Sequence, residues 1–85
     1  MSITGTQILV DGTAVLLAEA KGMPMEVHVH CASGSLFVGA SNVSSSTGYK
    51  MDNGNRETFT IPDNSALYGI GNGSTSTVYV LTVVL

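Results

Sequence analysis

The chain has 85 residues, 44% of them hydrophobic and only 11% charged, with a formal net charge of −3. That length allows one domain that buries about 60–65% of its unfolded surface, a marginal core, and the single cysteine excludes an internal disulfide. Three scattered basic residues, Lys21, Lys50 and Arg56, exclude the clustered charge that nucleic-acid binding needs, and no apolar run reaches the ~18 residues that cross a bilayer.

A soluble domain carries roughly 25% charged residues. Here Ser, Thr, Gly and Asn stand in their place. Such a surface does not resist self-association by charge repulsion. Small scaffolds are stapled by disulfides, metal or oligomerisation. With the first excluded and no Cys/His set at structural-zinc spacing, oligomerisation or docking on a larger partner is expected. The first residues lack the charged and apolar regions of a signal peptide. The expected site of synthesis and use is a cytoplasm, or an assembly built there. No motif calls for a cofactor.

Residues 1–7 are polar, with Gly5 among them, and predict a mobile arm or a first edge strand ahead of one domain over 8–85. Ile8, Leu9 and Val10 form a short apolar run. Asp11-Gly12 follows, a dipeptide that favours a type I′ hairpin turn. Residues 13–20 are rich in Ala, Leu and Glu, which favour helix. Eight residues make only about two helical turns, marginal without strong packing, and the preceding turn favours a strand. That strand puts Ala14, Leu16 and Ala18 on one face and Val15 and Leu17 on the other, and Lys21-Gly22 ends it.

Residues 25–31 alternate strictly, with Met25, Val27, Val29 and Cys31 on the apolar face. Ser33-Gly34 reads as a tight hairpin turn into a strand begun by Leu36, Phe37 and Val38. Residues 41–48 are polar and predict a surface loop or weakly paired edge, anchored by Val43. A short strand over 49–51, a turn at 52–55 and a strand over 56–61 follow, with Glu57, Phe59 and Ile61 facing one way. Pro62-Asp63-Asn64 predicts a turn, 66–70 a strand, and 71–74 another turn. Residues 75–85 are the most strand-like. Val78, Val80 and Val84 share one face, Tyr79, Leu81, Val83 and Leu85 the other, which predicts burial on both sides. Seven or eight short antiparallel strands at this spacing predict an all-β fold, a single small β-sandwich or barrel, jelly-roll-like or Greek key.

Several short motifs go further. Phe37-Val38-Gly39 is followed by Ser41-Asn42-Val43, then Thr47-Gly48-Tyr49, then Leu67-Tyr68-Gly69-Ile70 and a Val-rich final strand. Over about residues 13–85 the chain resembles the small β-sandwich structural proteins of tailed bacteriophages, including capsid decoration (cement) and head-associated proteins. The resemblance implies a non-enzymatic virion protein on the capsid surface, assembled in the host cytoplasm. It implies the major capsid protein as partner and a homo-oligomer, commonly a trimer. It brings no catalytic residues.

Glu26, His28 and His30 share one face of their strand. Two imidazoles and a carboxylate are metal-ligand types. The pair resembles the His-x-His of cupins, but residues 31–38 contain no Glu and no later His exists. The plainer expectation is a solvated strand face. Cys31 falls on the opposite, apolar face, as a small buried hydrophobe. Partner contacts are expected from Ile3, Thr4, Thr6 and Gln7 in the N-terminal segment and from Ser41, Asn42, Val43 and Tyr49. A low-copy tail or neck component that binds a receptor or glycan, and a small metal-binding barrel, are the alternatives.

Overall fold

Eight antiparallel strands and no helix form in the computed structural model, which describes residues 2–44, 46–71 and 75–84. They are β1 (Ser2–Val10), β2 (Val15–Ala20), β3 (Met25–Ser33), β4 (Leu36–Gly39), β5 (Tyr49–Met51), β6 (Arg56–Ile61), β7 (Ser65–Gly71) and β8 (Ser76–Val84). One sheet has the order β1-β8-β3-β6 and the other β2-β7-β4-β5. This interleaving of two four-stranded sheets is the jelly-roll arrangement of a β-sandwich. The turn expected over 71–74 lies, apart from Gly71, outside the described residues, as does Leu85.

The sandwich interior is built by period-two alternation. In β3 the burial strictly alternates, with Met25, Val27, Val29 and Cys31 inside. Val78 and Val80 of β8 lie beside Cys31 and Val29 in register, and Leu36 and Met51 face them from the second sheet's side of the core. Each fully buried side chain of this size contributes about 1.5–3 kcal/mol.

The expected hairpins at Asp11-Gly12 and Ser33-Gly34 do not form. β1 and β3 belong to one sheet while β2 and β4 belong to the other, so both turns carry the chain across the sandwich. Asp11 still acts as a turn residue, its carboxylate accepting a hydrogen bond from the Thr13 amide at 3.0 Å. β4 and β5 are the sequence neighbours that pair within one sheet.

Residues 15–20 form a strand, but its faces differ from simple alternation. A β-bulge between Leu16 and Ala18 shifts the register against β7. Leu17, Ala18 and Ala20 are therefore all buried and Leu16 is turned outward. Val43 anchors its loop as expected but is too buried for the partner contact expected of it. It is buried against Gly39 and Gly48, and Phe37 lies under the same loop. A side-chain carbon at Gly48 would come within 2.7 Å of Phe37 Cβ and 2.8 Å of Val43 Cγ2, so the loop closes only over a glycine. This makes a small second cluster on the outside of the second sheet, pinned by the Val43 amide donating to the Ala40 carbonyl at 2.9 Å and the Gly48 amide donating to the Ser44 carbonyl at 2.9 Å.

The last strand is central, flanked by β1 and β3. Its inner face is buried as expected at Val78 and Val80 and only partly buried at Val84. Its outer face is not: Tyr79 remains 46% and Leu81 40% exposed.

Candidate docking surface

The outer face of the β1-β8-β3-β6 sheet collects side chains that are far apart in sequence. Register places Gln7 beside Tyr79, Tyr79 beside His30, and His30 beside Arg56. The next row outward in the same direction runs Gly5, Leu81, His28, Thr58. Gln7 apart, these two rows line an open groove of about 820 Å³. Gly5 contributes no side chain and so leaves the β1 end of the groove low.

Aromatic and polar groups are mixed here. The His30 and Tyr79 rings stack with centroids 6.2 Å apart and an interplanar angle of 27°. His28 is held at both ring nitrogens. Nε2 lies 2.8 Å from Glu26 Oε1, and Nδ1 lies 3.1 Å from Thr58 Oγ1. Arg56 is exposed and has no ion-pair partner among the described residues. Beyond the groove, β1 adds Ile3 at 63% exposure and Leu9 at 64% to the same face.

Glu26, His28 and His30 do share a face, and they are half-buried. They do not converge as ligands. Glu26 and His28 hold each other, while His30 is turned onto Tyr79. Among the described residues no three His, Cys, Asp or Glu side chains gather to hold a metal ion.

The expected contact residues divide into two separate places. Ile3, Thr4, Thr6 and Gln7 are exposed on β1, at one lateral edge of the sandwich. Ser41, Asn42 and Tyr49 are exposed near β5, the edge strand of the other sheet. Val43 is not available, because it is buried under its loop. Tyr49 is spoken for in part: its hydroxyl donates to Glu57 Oε1 at 3.1 Å, its ring meets Phe59 edge-on, and the bond to Glu57 pushes its pKa up. Tyr79, Leu81 and Arg56 were not among the contact residues expected from sequence. Tyr79 and Leu81 belong to the doubly apolar β8, whose outer residues lie on an exposed sheet face, and Arg56 was one of three scattered basic residues.

Cys31 is fully buried, with its thiol 3.6 Å from the Ser33 carbonyl and 3.5 Å from the Gly34 carbonyl. Burial first, and the nearby Asp52 charge second, raise its pKa above 9.0. The thiolate is the reactive form, so the native protein should resist iodoacetamide at pH 8 and become fully labelled in denaturant. Rapid labelling of the folded chain would contradict this placement.

No protein-family model and no curated protein matches the sequence. Among solved structures, a chain from work on Bacillus endospore appendages, described as a novel family of disulfide-linked pili, has a similar fold. The TM-score is 0.55 and the identity 13%, over 99% of this chain and 89% of that one. The likeness is one of fold. It agrees with the small β-sandwich read from strand order, and it leaves activity to be argued from the surface.

Proposed function

We propose that this protein is a non-enzymatic structural subunit that docks on a larger protein assembly, as a capsid decoration protein does on the major capsid protein of a phage shell. The outer face of the β1-β8-β3-β6 sheet supports this most directly. It presents Tyr79, Leu81, Ile3 and Leu9 in the open, beside an Arg56 without an ion-pair partner among the described residues. Tyr and Arg are over-represented among the residues that carry binding energy at interfaces, and exposed apolar patches rimmed by polar groups mark such sites. Low charge lets many copies sit close together, and repetition over a lattice makes individually weak contacts adequate. The resemblance of the motifs over about residues 13–85 to phage decoration proteins points the same way.

Docking of this kind is non-covalent. The pilus neighbour is described as disulfide-linked, whereas Cys31 is buried and cannot reach a second chain from the folded state.

Quantitative mass spectrometry of purified particles from the source tests the proposal. Copies near an integer fraction of the major shell protein are expected. A handful of copies would assign the chain to a tail or neck position instead, and absence from particles would overturn the assembly role. On the same particles, Tyr79→Ala should weaken binding by roughly 30-fold, the loss of about 2 kcal/mol that marks an interface hot spot. Unchanged binding would remove this face from the docking surface.

A further inference from the structure

Among the described residues four strands have a free edge: β1 and β6 in one sheet, β2 and β5 in the other. A free edge presents unpaired amides and carbonyls that template another strand, and proteins guard against this with charge, proline, bulges or brevity. β2 has Glu19 and a bulge. β5 has three residues, one of them Lys50. β6 has Arg56 and Glu57 and is followed by Pro62. β1 has none of these guards. It is nine residues long, contains no charged residue and no proline, and keeps unbroken register with β8 from Ser2 to Val10.

The sequence of β1 is also complementary to itself. Laid antiparallel against a second copy about Thr6, it brings Ile3 opposite the partner subunit's Leu9 and Leu9 opposite the partner subunit's Ile3. These are the two most exposed large apolar side chains in the described chain. Gln7 comes opposite the partner subunit's Gly5, which has no side chain to crowd it. All three pairs lie on the outer face of the sheet, because residues equidistant from Thr6 share their parity.

We propose that β1 pairs edge to edge with β1 of a second copy of this chain, antiparallel and centred on Thr6, to form a two-fold dimer with one continuous sheet. The contact is isologous and closes on itself. Pairing β1 with β6 of another copy would instead bury Arg56 and Glu57 and leave the chain open to fibre growth. The dimer also joins the two outer-face grooves end to end, since each reaches Gly5 and Thr6. It goes beyond the docking role and does not depend on it, because pairing is a property of the isolated chain.

Light scattering and sedimentation of the purified 85-residue chain measure the oligomer directly, with no particle present. A dimer is expected. Thr6→Lys places two ammonium groups opposite each other at the dyad and should weaken dimerisation by more than tenfold. Mixing Thr6→Lys with Thr6→Glu should restore a heterodimer, which a merely unfolded variant cannot do. Directly opposed residues on antiparallel strands have Cα atoms about 4.5–5.5 Å apart, within disulfide range. Thr6→Cys should therefore cross-link on mild oxidation. Ile3→Cys alone should not, but should do so when mixed with Leu9→Cys. A wild-type chain that is monomeric or trimeric, or a Thr6→Cys chain that stays uncross-linked, overturns the dimer. Neither result touches the particle measurement above, so the two proposals fail separately.

Discussion

Gly34→Ala should destabilise the protein by about 3–4 kcal/mol, one of the largest single-residue effects in the chain. Two causes add. Gly34 has φ of 76°, a left-handed conformation that costs an L-residue roughly 1–2 kcal/mol. A methyl group there would also lie 2.5 Å from Ser76 Oγ and 3.2 Å from Ser76 Cβ. Ser76 cannot simply give way. It is fully buried, and its hydroxyl donates to the Ser35 carbonyl at 2.7 Å. Pushing it aside breaks a buried hydrogen bond, at about 1–3 kcal/mol. Gly54 is the control. Its φ is 86°, yet nothing lies within 4 Å of where its side chain would be. Gly54→Ala should show the conformational cost alone. Urea unfolding of both variants measures the difference. A domain of this length has roughly 4–13 kcal/mol in total, so Gly34→Ala should also lower the melting temperature by about 12–25 °C. Equal losses for the two variants would mean that Ser76 is not packed as described.

Leu36→Ala should cost about 3–4 kcal/mol, because it removes one of the largest fully buried side chains from the centre of the core. Its neighbour Gly69 offers a sharper test. A side-chain carbon at Gly69 would meet Leu36 Cδ1 and Leu17 Cδ1, each at 3.0 Å. Gly69→Ala alone should therefore destabilise by about 1–3 kcal/mol through overpacking. In the double variant, the added methyl group enters space that Leu36 has vacated. The combined loss should fall short of the sum of the two by at least about 1 kcal/mol. Strict additivity in unfolding experiments would show that the two side chains do not share that space.

The sequence identified the faces of strands far better than their partners. In β3 and β6 the alternation alone gave the inner residues, because each strand has one buried face and the period is short. In β2 the same rule failed at Leu17, where a bulge turns two consecutive residues inward. No local signal announces a bulge. Asp11-Gly12 and Ser33-Gly34 were legible as turns, but turn chemistry is local and does not say whether the next strand stays in the sheet or crosses the sandwich. Val43 was legible as the anchor of its loop but not as a residue too buried to meet a partner, since its burial depends on two glycines and Phe37 that only the fold brings to it. The docking face was the least legible of all. Gly5, His30, Arg56 and Tyr79 come from four strands, and sheet order alone puts them together. Arg56 in sequence was one of three scattered basic residues. Tyr79 and Leu81 made the last strand apolar on both sides, which pointed to burial rather than to an exposed face.

The pairing of β1 with β8 also sets a schedule. Among the described residues β8 is the strand that joins β1 to the rest of its sheet, and it is synthesised after the other seven. Until then β1 has no place to go, and β3 lacks one of its two neighbours. At roughly 5–20 residues per second, translation leaves β1 waiting for several seconds. During that time a nine-residue segment without a single charge is open to any strand it meets, including β1 of a chain emerging from the next ribosome. The first partner of this segment is then decided by timing on the polysome, before the finished fold can offer it β8.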